Sequence, residues 1–479
     1  MTKFATLDDI LTHIGTRKVV DDTRKLTNGD VLIWDSRIAP QRTHDVLADA
    51  RARHAGLIIT DASVEDAMVV TDAGAVLAAW AQRQSPRQPH ILLGVTGTSG
   101  KTSVAWFVRQ LAQLAGYKSA SVGTLGVMRS DTDFDEEYTG FTSPNALKLH
   151  PILDGLAAEG VDVCAMEISS HALALRRADA VTLCAAGYTN FSQDHLDFHR
   201  SLDEYFFAKM RLFTELLPEK APAVINVGRS ELWPVLSVLK QRQTPVLTVG
   251  TAHAELVVRV NRSHARGLDI TILYEASPIE VSLPLIGTFQ AENLAVALGL
   301  LVAGGVPWAR LTSVISQLTC VPGRMDVIPS MPSQPAVVVD YAHKPDALEK
   351  ALHAMRPLTR GKLWVVFGCG GNRDATKRPL MGAIAARLAD NVVVTDDNPR
   401  HEDAALIRGA IVDGATHAGT TAQIFTIADR SLAIAYALKH ANHDDVILVA
   451  GKGHEQGQIV GDTVIPFDDR KVVAGLLKQ

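Results

Sequence analysis

The chain has 479 residues, enough for about three domains of ordinary size, and its 47% hydrophobic and 21% charged residues exclude a disordered or fibrous protein. Its 47 Lys and Arg residues face 52 Asp and Glu residues, so the net charge of -5 provides no general positive field for nucleic acid or anionic lipid. We therefore expect neither a nucleic-acid nor a membrane partner. The four cysteines are widely separated, without the spacing of a metal site or a disulfide framework, which favours a cytoplasmic location.

Two stretches rich in proline, residues 85–89 and 321–335, divide the chain and predict domains at 1–88, 89–322 and 323–479. The first domain has short apolar runs at 31–33 and 56–59 and a helical pattern over 64–82, which indicates a small α/β domain. In the second, apolar runs at 91–95, 163–168, 181–188 and 223–227 alternate with helical patterns. The third repeats the alternation at 336–339, 363–367, 391–394 and 445–450. The fold class is therefore α/β, with a central parallel sheet and a Rossmann-like C-terminal domain.

The sequence GVTGTSGKT at 94–102 lies between a predicted strand and a predicted helix over 102–115. Small residues there let backbone N–H groups surround phosphate oxygens, while Lys101 reaches the terminal phosphates and Thr102 can bind Mg²⁺. Val95 stands where the strict phosphate-loop pattern has its first glycine, so this loop is a variant. A glycine turn without a ligand is the alternative. We expect ATP and magnesium at this loop.

Two further segments carry metal-binding side chains after predicted strands. Glu167 ends one apolar run and therefore lies at the end of a predicted strand. Ligands bind at such strand ends in open α/β sheets, and a carboxylate suits Mg²⁺. A surface or capping glutamate is the alternative. Residues 194–199 hold two acids and two histidines, and a helix start capped by Ser192 is the alternative there. The acidic run at 131–137 predicts a solvated loop. The apolar stretch at 294–306 is too short to cross a bilayer and predicts a buried helix.

Together these and later motifs resemble the Mur ligase family, ATP-dependent amide ligases that extend the peptide of the bacterial cell-wall precursor. The likeness runs from about residue 91 to the C-terminus. In chain order the motifs are TGTSGKTS at 96–103, EISSHAL at 167–173, TNFSQDHLDFH at 189–199, YFFAKMRLF at 205–213, GTFQAEN at 287–293, PGRMD at 322–326, DYAHKPDAL at 340–348, GCGGNRDATKRP at 368–379, DNPR at 397–400 and GKGHEQ at 451–456. DNPR resembles the tetrapeptide of diaminopimelate-adding members, whose arginine holds the distal carboxylate of that amino acid. The guanidinium of Arg400 suits a carboxylate and would repel the ammonium of lysine, although a solvated turn is the alternative.

The resemblance implies a role for each matching position. ATP would meet Gly97, Thr98, Ser99, Gly100, Lys101, Thr102, Ser103 and Asn293, completed by Arg324, Asp340 and His343. Two magnesium ions would be held by Thr102, Glu167, His195 and Lys209, the last as a carbamate formed with CO₂, and Lys101, Glu167, His195 and Lys209 would be the catalytic set. The UDP-N-acetylmuramoyl dipeptide would meet Thr23, Thr142, Ser143, Ser169 and Arg177. Diaminopimelate would meet Arg373, Asp397, Asn398, Pro399, Arg400, Gly451 and Glu455.

The implied reaction begins when the D-glutamate carboxylate of UDP-N-acetylmuramoyl-L-alanyl-D-glutamate attacks the γ-phosphate of ATP. The amine of meso-diaminopimelate then displaces phosphate from the acyl phosphate. A monomer with a hinge at 321–324 is expected to close for this step. Asp22-Thr23-Arg24, residues 34–37, Phe141 and Leu175 depart from the family pattern. These departures leave another acceptor or a recruited substrate as an alternative. From another class, an ATPase or ATP-binding regulator is the alternative. A redox dinucleotide protein is set aside, because 368–373 lacks the last glycine of GxGxxG.

Overall fold

Parallel strands dominate the structure, a computed structural model that describes residues 6–129, 142–195, 198–275 and 277–478. The chain forms two compact units. Unit 1 comprises Met1–Val257 with Glu292–Val314, and unit 2 comprises Val258–Ala291 with Ile315–Gln479. The α/β fold class is confirmed. The domain limits at 88 and 322 stay a prediction, and the acidic run at 131–137 and Phe141 lie outside the described residues.

Unit 1 contains two sheets. Its helices are α1 Leu7–Ile14, α2 Thr43–Ala52, α3 Ala73–Gln84, α4 Lys101–Leu114, α5 Ala146–Ala158, α6 Ser170–Ala174, α7 Leu202–Arg211, α8 Trp233–Gln241, most of α9 Phe289–Ala303, and α10 Trp308–Thr312. Its strands are β1 Val19–Val20, β2 Val31–Trp34, β3 Leu57–Thr60, β4 Met68–Val69, β5 Ile91–Thr96, β6 Ser119–Gly123, β7 Gly126–Met128, β8 Val163–Glu167, β9 Ala185–Tyr188, β10 Ala223–Asn226, β11 Val246–Gly250 and the start of β12 Leu256–His264. Strands β1 to β4 form a parallel sheet in sequence order.

The larger sheet of unit 1 has the order β11-β10-β9-β5-β8-β6-β7. Only β7 runs antiparallel to its neighbour among these strands. Because β9, β5 and β8 are adjacent and parallel, their carboxyl ends meet at one edge of the sheet, where the loops after Thr96, Glu167 and Tyr188 begin. This edge therefore places three of the predicted motifs side by side.

Unit 2 is built on a six-stranded sheet of order β15-β16-β20-β17-β18-β19, with β15 antiparallel. The strands of this sheet are β15 Asp326–Ile328, β16 Ala336–Asp340, β17 Leu363–Phe367, β18 Asn391–Val394, β19 Gln423–Thr426 and β20 Val446–Ala450. Outside this sheet, unit 2 contains the rest of β12, the antiparallel pair β13 Gly267–Tyr274 and β14 Ser277–Leu283, and the antiparallel pair β21 Gly457–Val460 and β22 Thr463–Pro466. The helices are α11 Pro345–Met355, α12 Lys377–Leu388, α13 Ala404–Thr416, α14 Arg430–His440 and α15 Asp469–Leu477. The start of α9 also belongs to this unit.

Alternating side chains of the unit 2 strands fill two separate cores. Val338, Val365 and Leu448 pack with α11 and α12, whereas the neighbouring Val337 and Val366 pack with α14 and α15 on the other face. A sheet covered on both faces requires such continuous apolar strands, because successive side chains point to opposite sides. The apolar runs in the sequence therefore correspond to doubly covered parallel strands.

Two sequence predictions about helices have different outcomes. The helical pattern over 64–82 is wrong at its start, because β4 occupies Met68–Val69 and α3 begins only after Asp72, whose side chain accepts a hydrogen bond from Ala75 N. The apolar stretch at 294–306 falls mainly in α9, and most of its hydrophobic side chains are buried. In the part of the chain that the structure describes, no helix has the length and apolar character needed to cross a membrane.

Candidate functional site

The phosphate-binding loop of unit 1 connects β5 to α4 and needs glycine at two positions. Gly97 and Gly100 have positive φ angles of 148° and 85°. A Cβ atom on Gly97 would lie 1.9 Å from Thr189 Oγ1, and one on Gly100 would lie 2.3 Å from Asn293 Oδ1. Both glycines therefore let neighbouring polar side chains approach the loop backbone closely.

The loop is fixed from the neighbouring strand end as well. Asn190 Oδ1 accepts a hydrogen bond from Ser99 N at 2.9 Å, and Thr189 Oγ1 donates to Ser99 O at 2.7 Å. Thr98 Oγ1 lies 3.1 Å from the hydroxyl of Tyr205 on α7. The loop is thus held in shape by residues of the segment after β9, which supports its use as a preorganised anion site.

Two lysine ammonium groups point at the same carbonyl of the loop. Lys101 Nζ donates to Gly97 O at 2.8 Å and to Thr98 O at 3.0 Å, while Lys209 Nζ donates to Gly97 O at 2.8 Å. Lys209 is buried on α7 with its ammonium 4.6 Å from the centre of the Tyr205 ring. Lys209 is therefore part of the loop's surroundings rather than a surface residue of a helix.

Glu167 ends β8 as a buried carboxylate beside the loop. It accepts hydrogen bonds from Thr102 Oγ1 at 2.9 Å, Thr124 N at 2.9 Å and Thr124 Oγ1 at 3.1 Å. A Cβ atom on Gly123 would lie 2.1 Å from Glu167 Oε1, so the glycine leaves room for the carboxylate. The alternative of a surface or capping glutamate is excluded by this burial.

Burial changes the pKa values of the three ionisable groups around the loop. It raises the pKa of Glu167, and the hydrogen bonds from Thr124 and the charge of Lys101 oppose this shift without reversing it. Burial lowers the pKa of Lys101, with the Glu167 and Asp194 carboxylates acting in the opposite direction. It also lowers the pKa of Lys209 well below its usual value, and the nearby charge of Lys101 adds to that decrease.

His195 lies in the segment between β9 and α7. Its left-handed backbone has a φ angle of 53°, and its ring centre lies 4.9 Å from that of His171 and 6.0 Å from that of Tyr205. No helix begins at Ser192, since α7 starts only at Leu202. Leu196 and Asp197 of this motif lie outside the described residues.

The residues around Glu167 suit a hard divalent cation such as Mg²⁺. Glu167 is a buried carboxylate without an ion-pair partner among the described residues, and Thr102 adds a hydroxyl oxygen. Across residues 6–129, 142–195, 198–275 and 277–478, no three His, Cys, Asp or Glu side chains form a metal-binding group. Magnesium does not need one, since it commonly takes one or two carboxylates together with phosphate oxygens and waters.

The polar residues expected near the muramoyl peptide divide between two places in unit 1. Ser143 Oγ donates to Glu167 O at 2.9 Å and accepts from Ser169 N at 3.1 Å, and Thr142 Oγ1 lies 3.3 Å from Thr124 Oγ1. Thr23 and Arg177 instead line a cavity of about 630 Å³. This cavity also includes Asp22, Arg24, Trp34, Asp35, Arg42, Asn145, Leu175 and Arg176.

Unit 2 contains a second cavity, of about 830 Å³, at the carboxyl ends of its parallel strands. Its lining includes His343, Lys344, Lys350, Arg373, Lys377, Asp397, Asn398, Arg400, Gly451 and Glu455. The loops after β16, β17, β18 and β20 contribute most of these residues, while Lys350 and Lys377 lie on α11 and α12. The first and the last of them are more than a hundred positions apart in sequence. Six of the seven residues expected at diaminopimelate line this cavity, and Pro399 does not.

Arg400 is held in this cavity by its backbone. Its left-handed φ angle is 52°, its N–H donates to Ile459 O, and its Nη1 donates to Gly371 O at 3.0 Å. Among the described residues, no group accepts a hydrogen bond from its Nε or Nη2. A Cβ atom on Gly370 would lie 2.9 Å from Arg400 Nη1, so glycine makes room for the guanidinium. Arg400 therefore faces a cavity rather than bulk solvent alone.

The three residues expected to complete the nucleotide site lie near one another in unit 2. Asp340 ends β16 and accepts hydrogen bonds from Met325 N at 2.7 Å and Ala342 N at 2.8 Å. Burial raises its pKa, against the opposing hydrogen bonds and the charge of Arg324. The Arg324 guanidinium lies 4.9 Å from the centre of the Tyr341 ring, and His343 Nδ1 lies 2.8 Å from Tyr341 O. Their contact with a nucleotide stays a prediction.

Sequence analysis missed three residues that the structure places in these sites. Thr124 holds Glu167, Tyr205 covers Lys209, and Lys452 is completely buried beside Asn398 and Glu455. Tyr205 and Lys452 lie inside the motifs YFFAKMRLF and GKGHEQ, so the motifs themselves are the signal that could have found them. Thr124 follows a glycine at a strand end, which is too weak a signal by itself.

Comparisons with known proteins agree with this arrangement. Residues 95–301 match the Mur ligase middle domain, and residues 323–453 match the family described as Mur ligase, glutamate ligase domain. A UDP-N-acetylmuramoyl-L-alanyl-D-glutamate--2,6-diaminopimelate ligase of Agrobacterium fabrum is 40% identical over 98% of this chain and 95% of its own length. The ligase of the same name from Brucella melitensis biotype 1 is 44% identical over 90% of this chain and 88% of its own.

Solved structures give the same result. A structure of a UDP-N-acetylmuramoyl-L-alanyl-D-glutamate--2,6-diaminopimelate ligase superposes with a TM-score of 0.69 at 31% identity, covering 96% of this chain and 94% of that one. A folylpolyglutamate synthase from Thermotoga maritima shares the fold, with a TM-score of 0.58 at 17% identity over 78% of this chain and 89% of its own. From the two domain matches and the long, highly similar relatives it follows that the chain belongs to the Mur ligase family.

Proposed function

We propose that this protein is an ATP-dependent ligase that joins meso-diaminopimelate to UDP-N-acetylmuramoyl-L-alanyl-D-glutamate in peptidoglycan precursor synthesis. The observation that carries the proposal is the unit 2 cavity, in which Arg400 and Arg373 lie with the carboxylates of Asp397 and Glu455. An amino acid with two ammonium and two carboxylate groups needs both kinds of partner. The relatives at 40% and 44% identity carry the name of this activity.

The first step joins two anions, the D-glutamate carboxylate and the γ-phosphate of ATP. Lys101, the loop N–H groups and the N-terminus of α4 provide the positive charge that offsets their repulsion. The carboxylate oxygen attacks the γ-phosphorus, the bond to the bridging oxygen breaks, and ADP leaves with the electron pair. Magnesium, when bound, would be held by Thr102 and Glu167, with His195 as a ligand of a second ion, and would neutralise charge on the phosphates.

Lys209 is proposed to carry a carbamate. Its amine is buried, and burial lowers its pKa well below the usual value, so the neutral form that reacts with CO₂ is favoured. The neutral amine and CO₂ form an N–C bond and release one proton, so an uncharged amine beside Lys101 becomes an anionic carbamate. The proposal predicts a carbamate ¹³C signal in protein equilibrated with ¹³C-bicarbonate. Its absence, or an equal signal in Lys209→Met, would contradict the modification.

The second step needs a neutral amine of the acceptor at the acyl carbon. Asp397 and Glu455 are proposed to bind one ammonium group of diaminopimelate. This group is either the one at the stereocentre that does not react or the attacking amine before it loses its proton. Arg400 is proposed to hold the distal carboxylate through the guanidinium nitrogens that face the cavity. The neutral nitrogen attacks the acyl carbon, the C–O bond to phosphate breaks with its electron pair on phosphate, and the nitrogen gives up one proton to the departing phosphate or to water as the amide forms.

The UDP portion of the nucleotide substrate is proposed to occupy the 630 Å³ cavity of unit 1. Thr23 and Arg177, two of the residues expected to meet this substrate, line the cavity, which supports the proposal. We also propose that the protein acts as a monomer in the cytoplasm. The four cysteines are unpaired, as a reducing compartment permits.

The test is an acceptor panel. The protein is incubated with ATP, Mg²⁺, the UDP-muramoyl dipeptide and one of meso-diaminopimelate, lysine or ornithine, and product is measured by mass spectrometry together with ADP. Product with diaminopimelate and little with lysine is expected, because Arg400 repels a terminal ammonium. Equal turnover with lysine would contradict the acceptor. ATP hydrolysis that needs neither dipeptide nor amino acid would instead favour an ATPase or ATP-binding regulator.

A further inference from the structure

A fully buried lysine lies directly behind the wall of the unit 2 cavity. Lys452 is 0% exposed, and its Nζ donates to Asn398 Oδ1 at 2.9 Å and to Glu455 Oε2 at 3.1 Å. The same nitrogen is 3.6 Å from Asp397 Oδ1. Lys452 does not line the cavity itself, whereas Asp397, Asn398 and Glu455 all do.

A buried ammonium is costly unless charged and polar partners compensate it. Lys452 has two carboxylates and an amide oxygen, so its charge is compensated within the protein. The two carboxylates also depend on this cation. Without this cation, Asp397 and Glu455 would lose the ion-pair partner that they share, and the repulsion of their like charges would favour rotation away from each other.

The contacts of Lys452 leave part of Glu455 available. Glu455 Oε2 accepts from both Lys452 Nζ and Asn398 Nδ2, while no described residue donates to Oε1. The Asn398 amide is oriented by two donors to its oxygen, Lys452 Nζ and Ile459 N. One carboxylate oxygen thus stays free at a fixed place in the cavity.

We propose that Lys452 is a positioning residue of the amino-acid site: its ammonium holds the Asp397 and Glu455 carboxylates together at one wall, where they receive an ammonium group of the acceptor. This inference rests on the proposed ligase function. Lys452 does not touch the acceptor. It acts through the two carboxylates, so its removal weakens acceptor binding and leaves the nucleotide site of unit 1 unchanged.

The experiment compares Lys452→Met, Glu455→Gln and the double variant in steady-state kinetics with ATP, dipeptide and diaminopimelate each varied in turn. Lys452→Met is expected to raise the KM for diaminopimelate about tenfold or more with the KM for ATP within about twofold, since one partner of a buried charge pair is lost. Lys439→Met, on the exposed side of α14, is the matched control and should behave as the wild type. A smaller rise, or an equal rise in the KM for ATP, would overturn the proposal.

If Lys452→Met alone does not fold, the double variant tests the same idea. It removes the charges of both Lys452 and Glu455, so only Asp397 is left as a carboxylate without its buried partner. Adding Lys452→Met to Glu455→Gln should raise the KM for diaminopimelate by less than about fivefold, since residues that act through each other are not additive. A rise of about fivefold or more would overturn the proposal. If the wild type makes no product with diaminopimelate, the proposed function fails; if it does and Lys452→Met matches Lys439→Met, only this inference fails.

Discussion

The two candidate sites handle charge in different ways. At the phosphate loop of unit 1, Lys101 donates to carbonyl oxygens of the loop itself, so its charge is available to a ligand. In unit 2, both cations and carboxylates line the cavity, and Lys452 behind its wall is already held by Asn398 and Glu455. A site for a polyanion needs unpaired positive charge, whereas a site for a zwitterion needs separate partners of both signs.

Loss of the unpaired charge at the loop is expected to have the largest effect. Lys101→Met should lower kcat by about 10²–10³-fold, because a preorganised charge that stabilises the transferring phosphoryl group is removed. ADP release at saturating substrates measures this effect. Lys240→Met, exposed on α8, is the control. An unchanged rate would contradict this difference between the two sites, since phosphoryl transfer would then not depend on the charge of Lys101.

Loss of a cation from the unit 2 cavity should weaken acceptor binding and leave phosphoryl transfer unchanged. Arg400→Ala is expected to raise the KM for diaminopimelate by about 10²-fold and to lower the ratio of activity with diaminopimelate to activity with lysine, because the proposed charge-assisted contact to the distal carboxylate would be lost. The acceptor panel measures both quantities. Arg387→Ala, exposed on α12, should leave them unchanged. An Arg400→Ala variant that keeps full selectivity would show that another group distinguishes the acceptors.

Thr124 orients the Glu167 carboxylate that lies beside the loop. Thr124→Val keeps the backbone bond to Glu167 but removes the Oγ1 bond of 3.1 Å. If Glu167 holds magnesium as proposed, the Mg²⁺ concentration for half-maximal activity should rise by about tenfold, because a residue that orients a metal ligand is lost. A magnesium titration of the rate measures this. Thr124→Ser retains the hydroxyl and should restore the wild-type value; if Ser and Val behave alike, the hydroxyl has no such role.

The smallest expected effect concerns stability and pH. Burial raises the pKa of Glu167 above its ordinary 4.5, so below that pH the folded and unfolded states are both protonated and the carboxylate makes no difference. As the pH rises through the window up to the raised pKa, the unfolded state ionises first and the wild type loses stability. Without Mg²⁺, Glu167→Gln should therefore melt higher than the wild type by about 2–4 °C at pH 8 and by less at pH 5.

Thermal scans at the two pH values measure the difference. Glu349→Gln, exposed on α11, is the control, and its difference in melting temperature from the wild type should be the same at both pH values. A Glu167→Gln protein that melts lower than the wild type at pH 8 would mean that the buried carboxylate stabilises the apo unit, contrary to the direction of its pKa shift.

The phosphate loop could be predicted from the sequence because its chemistry is local. The nine residues 94–102 form a strand end, a turn and a helix start, and the glycine positions follow from backbone geometry alone. The strand runs at 91–95 and 363–367 were also predicted within one residue. The helix expected from residue 64 was wrong because a short strand, β4, uses the same apolar residues to extend a parallel sheet.

By itself the sequence determined the α/β alternation, the family and the residues of each motif, since strand period, turn glycines and motif order are all properties of neighbouring positions. Only the tertiary structure decided that Lys209 donates to the carbonyl of Gly97, that Thr124 holds Glu167 and that Lys452 lies behind Glu455 and Asp397. Burial and pairing set the charge that each of these groups presents, and both depend on segments far apart in the chain that parallel strands bring to one edge.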